Sequence, residues 1–108
     1  MPHPAVEDLS VEEVKAGMDA GSILLVDVRE PDELAAERIP GAVDMPLKSF
    51  DPAALPDPAG RRLVFSCRSG NRSITASLLA QEAGLPYAAH MAGGIKAWKE
   101  AGFATERG

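Results

Sequence analysis

The sequence predicts an α/β domain in which a central, mainly parallel sheet is covered by helices on both faces. Short apolar runs that suit strands alternate along the chain with segments of helical periodicity, which is typical of this class. The run at 23–26 is apolar at every position and indicates a strand buried on both faces. The 108 residues, 45% of them hydrophobic, are enough for one core. We therefore expect a single domain over 1–108, in which 1–8 form a flexible N-terminus.

The first helix is marked at both ends. Ser10 and Glu13 have the spacing of a capping box, in which each side chain binds the other residue's backbone amide. Gly21 supplies a stop, so the pattern predicts a helix over about 11–20.

The remaining elements follow from apolar periodicity and from the positions of glycine and proline. Three prolines and a glycine between 51 and 60 indicate a surface loop there. In chain order the pattern predicts a strand at 23–28, a short helix from Pro31, strands at 42–45 and 62–66, a helix at about 73–83, a strand at 87–91 and a helix at 95–101.

Composition and charge exclude several classes of protein. Eleven Lys and Arg against sixteen Asp and Glu give a net charge of −5, the wrong sign for a dedicated nucleic-acid binder. No apolar run approaches the roughly 18 residues of a membrane span, and the N-terminus does not resemble a secretory signal. A cytoplasmic location is therefore expected. Cys67, His3 and His90 lack the spacing of zinc ligands, so we expect no metal.

Cys67 lies where a predicted strand meets a helix. In open α/β sheets, ligands collect at the carboxyl ends of the strands. A loop of backbone amides that contains Gly70 and opens onto a helix can form an anion-binding nest, which stabilises a thiolate. Arg68 and Arg72 add positive charge to it. The loop could equally be a tight turn with exposed arginines, and its residues alone do not separate these two readings.

Three separate segments carry a family resemblance. The first is LVDVREPDE at 25–33 with RIPGA at 38–42, where Arg38 takes the usual place of a histidine. The second is FSCRSGNRS at 65–73, and the third is MAGGIKAW at 91–98 with Gly102. Over nearly its whole length the chain resembles a single-domain rhodanese, a sulfurtransferase with a rhodanese-like fold.

The resemblance implies that a sulfane sulfur moves from a small anionic donor such as thiosulfate to a thiol or cyanide acceptor. Cys67 would carry the sulfur as a persulfide, with no cofactor. Asp27 and Arg29 are expected to pair beneath the loop and support it. The residues expected to form the substrate-binding loop are Arg68, Ser69, Gly70, Asn71, Arg72 and Ser73.

Two alternatives remain open. Phosphatases and arsenate reductases of related fold place five residues between cysteine and arginine, whereas four separate Cys67 from Arg72 and Ser73 stands at the phosphatase position. The shorter loop fits a single sulfur better than a tetrahedral phosphate. The other alternative is a persulfide relay that docks to a partner protein, for which Cys67 would be shallow and accessible. Ser69 and Glu33 depart from residues that two-domain thiosulfate enzymes often carry at these positions.

Other residues receive plainer interpretations. Trp98 is expected in the core, since Ile95 lies three residues before it on a helix. His90 could donate a proton, but no partner is evident in the sequence and a structural role is favoured. The acidic residues of the second helix are interpreted as a solvated face that could dock a basic partner; they are Glu30, Asp32, Glu33 and Glu37.

Overall fold

The computed structural model describes residues 5–107, which build a five-stranded sheet with helices around it. The strands are β1 (Glu7–Leu9), β2 (Ile23–Asp27), β3 (Val43–Asp44), β4 (Arg62–Ser66) and β5 (Ala89–Met91). The helices are α1 (Val11–Asp19), α2 (Pro31–Ala36), α3 (Arg72–Glu82) and α4 (Gly94–Glu100), with 3-10 turns at Leu47–Ser49 and Pro52–Ala54. The strand order is β1-β5-β4-β2-β3, and all neighbouring strands are parallel.

The two central strands divide the core between the two faces of the sheet. Leu25 and Val64 pack with residues of α1 and α4 on one face. Val26 and Phe65, their chain neighbours, pack with α3 on the other face, because successive strand residues point to opposite sides. All four are fully buried. Helices therefore cover both faces of a parallel sheet, and the predicted fold class is confirmed.

Local signals predicted several elements well. The capping box of α1 is formed as expected, with both reciprocal hydrogen bonds between Ser10 and Glu13 at 3.1 Å. The bounds of β4 match the prediction, 62–66. Trp98 is 2% exposed, as expected for a core residue, and its indole N–H donates to the Ala104 carbonyl at 2.9 Å.

The N-terminal segment differs from the expectation. The sequence predicts a flexible terminus over residues 1–8, but Glu7 and Asp8 belong to β1, an edge strand that pairs with β5. The Glu7 amide donates to the Ala88 carbonyl at 2.8 Å, which continues this pairing. The expectation is therefore wrong for these two residues. Residues 1–4, including His3, lie outside the described part of the chain.

The helices are short, and α3 has 11 residues. Within residues 5–107, no helix combines the length and the apolar character that crossing a membrane requires.

Candidate active site

Cys67 directly follows β4, at the carboxyl end of a central strand of the sheet. Its Sγ accepts a hydrogen bond from the Gly70 backbone N–H at 3.1 Å. Gly70 has φ +109°, which a residue with a Cβ rarely adopts, so glycine allows the loop to turn this amide toward the sulfur. Cys67 is only 1% exposed. The expectation of a shallow, accessible cysteine is therefore wrong.

The start of α4 holds the loop from outside. The Ile95 amide donates to the Cys67 carbonyl at 2.9 Å, and the Lys96 amide donates to the Arg68 carbonyl at 3.1 Å. Gly94 makes this approach possible, since a Cβ built on it would lie 2.3 Å from the Cys67 carbonyl oxygen. With these carbonyls bound to α4, the loop is fixed with the Gly70 amide facing Sγ.

A chain of hydrogen bonds leads from the sulfur to the edge of the sheet. The Cys67 Sγ lies 3.4 Å from the Ser73 Oγ, which lies 2.8 Å from Nδ1 of His90. Nε2 of His90 lies 2.6 Å from Oδ1 of Asp8. Ser73 is fully buried and His90 is 3% exposed, whereas the Asp8 side chain is 41% exposed. The chain thus connects a buried thiol with solvent.

Arg72 is directed toward α2. Its Nη1 and Nη2 donate to the two carboxylate oxygens of Glu33 at 2.6 and 2.9 Å. The hydrogen bond from Arg72 lowers the pKa of Glu33 to about 2, although partial burial opposes this shift. The pKa of Arg72 is raised, first by the hydrogen bond to Glu33 and further by the negative charge of that carboxylate. Of the two predicted cations of the loop, Arg72 is therefore paired with a carboxylate that partly cancels its charge.

The acidic residues of α2 are not a freely solvated face. Besides the ion pair of Glu33, Glu37 accepts hydrogen bonds from Lys99 at 2.8 Å and from Thr105 at 2.6 Å. Glu30 accepts one from the Lys48 amide at 3.3 Å. The expectation of a solvated face is therefore wrong for these three glutamates, which join α2 and its two capping residues to Arg72, to α4, to the C-terminal segment and to the 3-10 turn at Leu47–Ser49.

Asp27 and Arg29 form a buried ion pair at the end of β2. Arg29 Nε and Nη2 approach the Asp27 carboxylate at 2.9–3.1 Å, and the two residues are 0% and 4% exposed. Arg29 also donates to the carbonyl of Glu37 at 2.8 Å. The pair therefore anchors α2, which in turn presents Glu33 to Arg72. Beyond the pair, the Arg29 guanidinium donates to carbonyls of α2 and of the residue that follows it.

The other residues of the loop face outward. Arg68, Ser69 and Asn71 are exposed. Ser69 and Asn71, with Asp8 and His90, line an open pocket of about 180 Å³. Within residues 5–107, no cluster of three or more His, Cys, Asp or Glu side chains could hold a metal ion.

Sequence reasoning missed three contributors to the site: Asp8, His90 and Gly94. The sequence allows His90 as a proton donor but favours a structural role because no partner is evident, and Asp8 lies in the segment expected to be flexible. The parallel register pairs Asp8 with His90 across β1 and β5, so the missing signal was the edge strand itself. Gly93 and Gly94 lie in the third resemblance segment, at 91–98, but no local signal shows that they touch the Cys67 loop.

A scan against family models matches a rhodanese-like domain over residues 10–101. The human thiosulfate:glutathione sulfurtransferase is 31% identical over 106 residues, covering 85% of this chain and 92% of that protein. An uncharacterized protein of Synechocystis sp. is 42% identical over 84 residues, covering 78% of this chain. The chain spans 47% of the length of that cyanobacterial protein.

A solved structure from Rhodopseudomonas palustris superposes with a TM-score of 0.77 at 30% identity. The superposition covers 94% of this chain and 85% of the neighbour's chain. The neighbour is described as a protein of unknown function and possible tyrosine phosphatase. The parallel sheet, the Cys67 loop and the family match over most of the chain agree with one another. The chain belongs to the rhodanese-like domain family, which includes sulfurtransferase relatives.

Proposed function

We propose that this protein is a sulfurtransferase that moves a sulfane sulfur from thiosulfate to a thiol or cyanide acceptor through a persulfide on Cys67. The observation that carries the proposal is the position of the Cys67 Sγ, enclosed by the β4–α3 loop and 3.1 Å from the Gly70 amide. The relatives named as sulfurtransferases support the same class of reaction.

The first step is a displacement at sulfur. The Cys67 thiolate attacks the outer sulfur of thiosulfate, an S–S bond forms, and the bond to the sulfonate sulfur breaks with its electron pair leaving on sulfite. The enzyme is left as a persulfide anion. In the second step, cyanide or a thiolate attacks the terminal sulfur of this persulfide. Thiocyanate or an acceptor persulfide leaves, and the Cys67 thiolate is regenerated with no net oxidation or reduction.

The loop supplies what these steps need electrostatically. Backbone N–H groups that are already fixed in place stabilise a sulfur anion without reorganising, and the Gly70 amide faces Sγ in this way. Because α4 binds the carbonyls of Cys67 and Arg68, these partial negative charges are directed away from the sulfur. The exposed guanidinium of Arg68 can attract a dianionic donor to the mouth of the loop.

Phosphate chemistry is the competing proposal, since one structural neighbour is described as a possible tyrosine phosphatase. Two contacts favour sulfur over phosphate. Arg72 is held by Glu33, so its Nη1 and Nη2 are directed to a carboxylate rather than to phosphate oxygens in the loop. Ser73, at the position of the phosphatase arginine, places a neutral hydroxyl next to Sγ.

The test is the intact mass of the reduced protein after incubation with thiosulfate, and again after cyanide is added. We expect one added sulfur atom per chain, which cyanide removes with formation of an equal amount of thiocyanate. The Cys67→Ser variant should remain unmodified, because an alcohol of ordinary acidity is a far weaker nucleophile than a thiolate. Its melting temperature should lie within a few degrees of the wild type, which shows that the comparison concerns chemistry.

An adduct that also forms on Cys67→Ser would overturn the assignment of Cys67. A protein that stays unmodified by thiosulfate but hydrolyses p-nitrophenyl phosphate in a Cys67-dependent way would replace sulfur transfer with phosphatase activity.

A further inference from the structure

We propose that Ser73, His90 and Asp8 form a proton relay that takes the thiol proton from Cys67. The inference rests on the proposed role of Cys67 as a nucleophile and adds the groups that generate its thiolate. These three residues come from α3, β5 and β1, and the fold brings them into one line of hydrogen bonds that ends at the sulfur.

The partners of His90 determine where its protons lie. Asp8, as a carboxylate, can only accept, so Nε2 of His90 carries a hydrogen and donates to Oδ1 at 2.6 Å. In the neutral ring Nδ1 is then an acceptor, and it receives the Ser73 hydroxyl hydrogen at 2.8 Å. The Ser73 Oγ keeps lone pairs for the Cys67 thiol, which lies 3.4 Å away. All donors and acceptors along the line are therefore matched.

Proton transfer along this line balances without any other reactant. The Cys67 thiol gives its proton to the Ser73 Oγ, and Ser73 passes its own hydroxyl proton to Nδ1 of His90. The products are a thiolate and an imidazolium, with the Ser73 hydroxyl now donating to the sulfur. The Asp8 carboxylate faces the imidazolium and stabilises its positive charge. The reverse transfer restores the resting state.

Burial explains why the thiol needs such a path. Cys67 is 1% exposed, so bulk water is poorly placed to take its proton. The Asp8 side chain is 41% exposed and provides the contact with solvent at the far end. Through hydrogen bonds, His90 faces the titratable groups Asp8 and, behind Ser73, Cys67. The other residues lining the adjoining pocket are uncharged: Ser69, Gly70, Asn71, Ile74, Ala92 and Gly93.

Alkylation of Cys67 by iodoacetamide tests the relay without any sulfur donor. We expect Ser73→Ala and His90→Gln to slow alkylation at neutral pH by about tenfold and to move the rate-against-pH profile to higher pH. Glutamine can still form hydrogen bonds but cannot take up the proton, so this variant separates relay from packing.

Ser77→Ala is the matched control. Ser77 is also fully buried on α3, one turn beyond Ser73, and its hydroxyl donates to the Tyr87 carbonyl at 2.7 Å. It should lower stability without moving the alkylation profile. If Ser73→Ala fails to fold, Asp8→Asn carries the test, because this half-exposed position tolerates substitution. Asp8→Asn should slow alkylation several-fold, since the imidazolium loses its carboxylate.

Wild-type alkylation profiles in both His90→Gln and a folded Ser73→Ala or Asp8→Asn variant would overturn the relay. This result is distinguishable from failure of the proposed function. If the variants slow alkylation but thiosulfate adds no sulfur to the wild type, the relay stands and thiosulfate is not the donor. If the variants alkylate like the wild type and thiosulfate does add sulfur to Cys67, the proposed function stands and the relay is overturned.

Discussion

Arg72 and Ser73 are consecutive residues in the first turn of α3, yet their side chains contact different groups. The Arg72 guanidinium extends to Glu33 of α2, where Nη1 and Nη2 each donate to one carboxylate oxygen. The Ser73 hydroxyl points to the Cys67 sulfur and to His90. One flank of the loop thus holds a balanced ion pair, and the other holds neutral groups that can move a proton.

The contacts of the two flanks indicate which of them controls the protonation of the Cys67 sulfur. Glu33 lies against Arg72, so the field of the guanidinium at Cys67 is partly cancelled. The Ser73 flank touches the sulfur directly and is nearly closed to water, where hydrogen bonds act at low local dielectric. We therefore expect the charged flank to fix the frame of the site and the neutral flank to control the reactivity of Cys67.

The largest expected effect is a loss of stability in Asp27→Asn. This substitution breaks the Asp27–Arg29 ion pair, which anchors the helix that presents Glu33 to Arg72. This change leaves Arg29 as a buried cation without its carboxylate, which typically costs about 3 kcal/mol or more. The free energy of unfolding, measured with urea, should fall by that amount. The matched control is Asp19→Asn, which removes an exposed ion pair with Lys15 and should cost less than about 1 kcal/mol.

Equal costs in the two variants would contradict the anchoring role of the Asp27–Arg29 pair. A second measurement, the alkylation rate of Cys67, tests whether the two flanks act independently. Where Asp27→Asn remains folded, the dependence of Cys67 alkylation on Ser73 should persist, because the hydrogen bonds of Ser73 and His90 lead to Cys67 and Asp8 rather than to α2.

An intermediate effect is expected from Gly94→Ala, which disturbs the support shared by both flanks. The added Cβ would lie 2.3 Å from the Cys67 carbonyl oxygen, so the loop or α4 must shift. Gly102→Ala is the matched control, since Gly102 also has positive φ, +84°, but a Cβ there meets nothing within 4 Å. Both variants carry the strain of a left-handed alanine, about 1–2 kcal/mol.

Only Gly94→Ala should also impair the site, with sulfur loading from thiosulfate slowed by about tenfold or more, because the Gly70 amide would no longer face the sulfur. Equal loading rates in the two alanine variants would show that the contact of α4 with the loop does not position the site.

The sequence predicted elements whose signals are local. The capping residues Ser10 and Glu13 mark the start of α1, and the continuous apolar run of β2 marks a central strand. The strand β1 was not predicted because it has three residues, of which only Leu9 is buried. Its partner β5 also lies about eighty residues further along the chain. An edge strand this short carries almost no hydrophobic pattern.

The site was predicted in part for the same reason. The loop around Cys67 is contiguous in sequence, so its residues could be named. The partners of these residues could not be named, since Glu33 and His90 reach the loop only through the packing of α2 and the register of β5 on β1. Sequence spacing pointed to Cys67 as the candidate nucleophile, whereas the pairing of its neighbours required the tertiary structure.

The smallest expected effect concerns the Arg72–Glu33 pair itself and appears as a dependence of stability on pH. The pKa of Glu33 is lowered from 4.5 to about 2 in the folded protein, chiefly by the hydrogen bond from Arg72. The stabilisation is therefore complete above the unfolded value and is lost as pH falls toward the folded one. Because the pair is partly exposed to solvent, we expect at most about 1 kcal/mol.

Urea unfolding at about pH 5 and about pH 2.5 tests this expectation, because protonation of Glu33 in the unfolded chain falls between these two conditions. The free energy of unfolding should decrease less in Glu33→Gln than in the wild type, since the glutamine has no proton to take up. Glu12→Gln, an exposed residue in the first turn of α1, should keep the wild-type decrease. If Glu33→Gln loses as much stability as the wild type, Arg72 is not bound by Glu33 in solution. Its guanidinium would then be available to the loop, and the two flanks would no longer differ in charge.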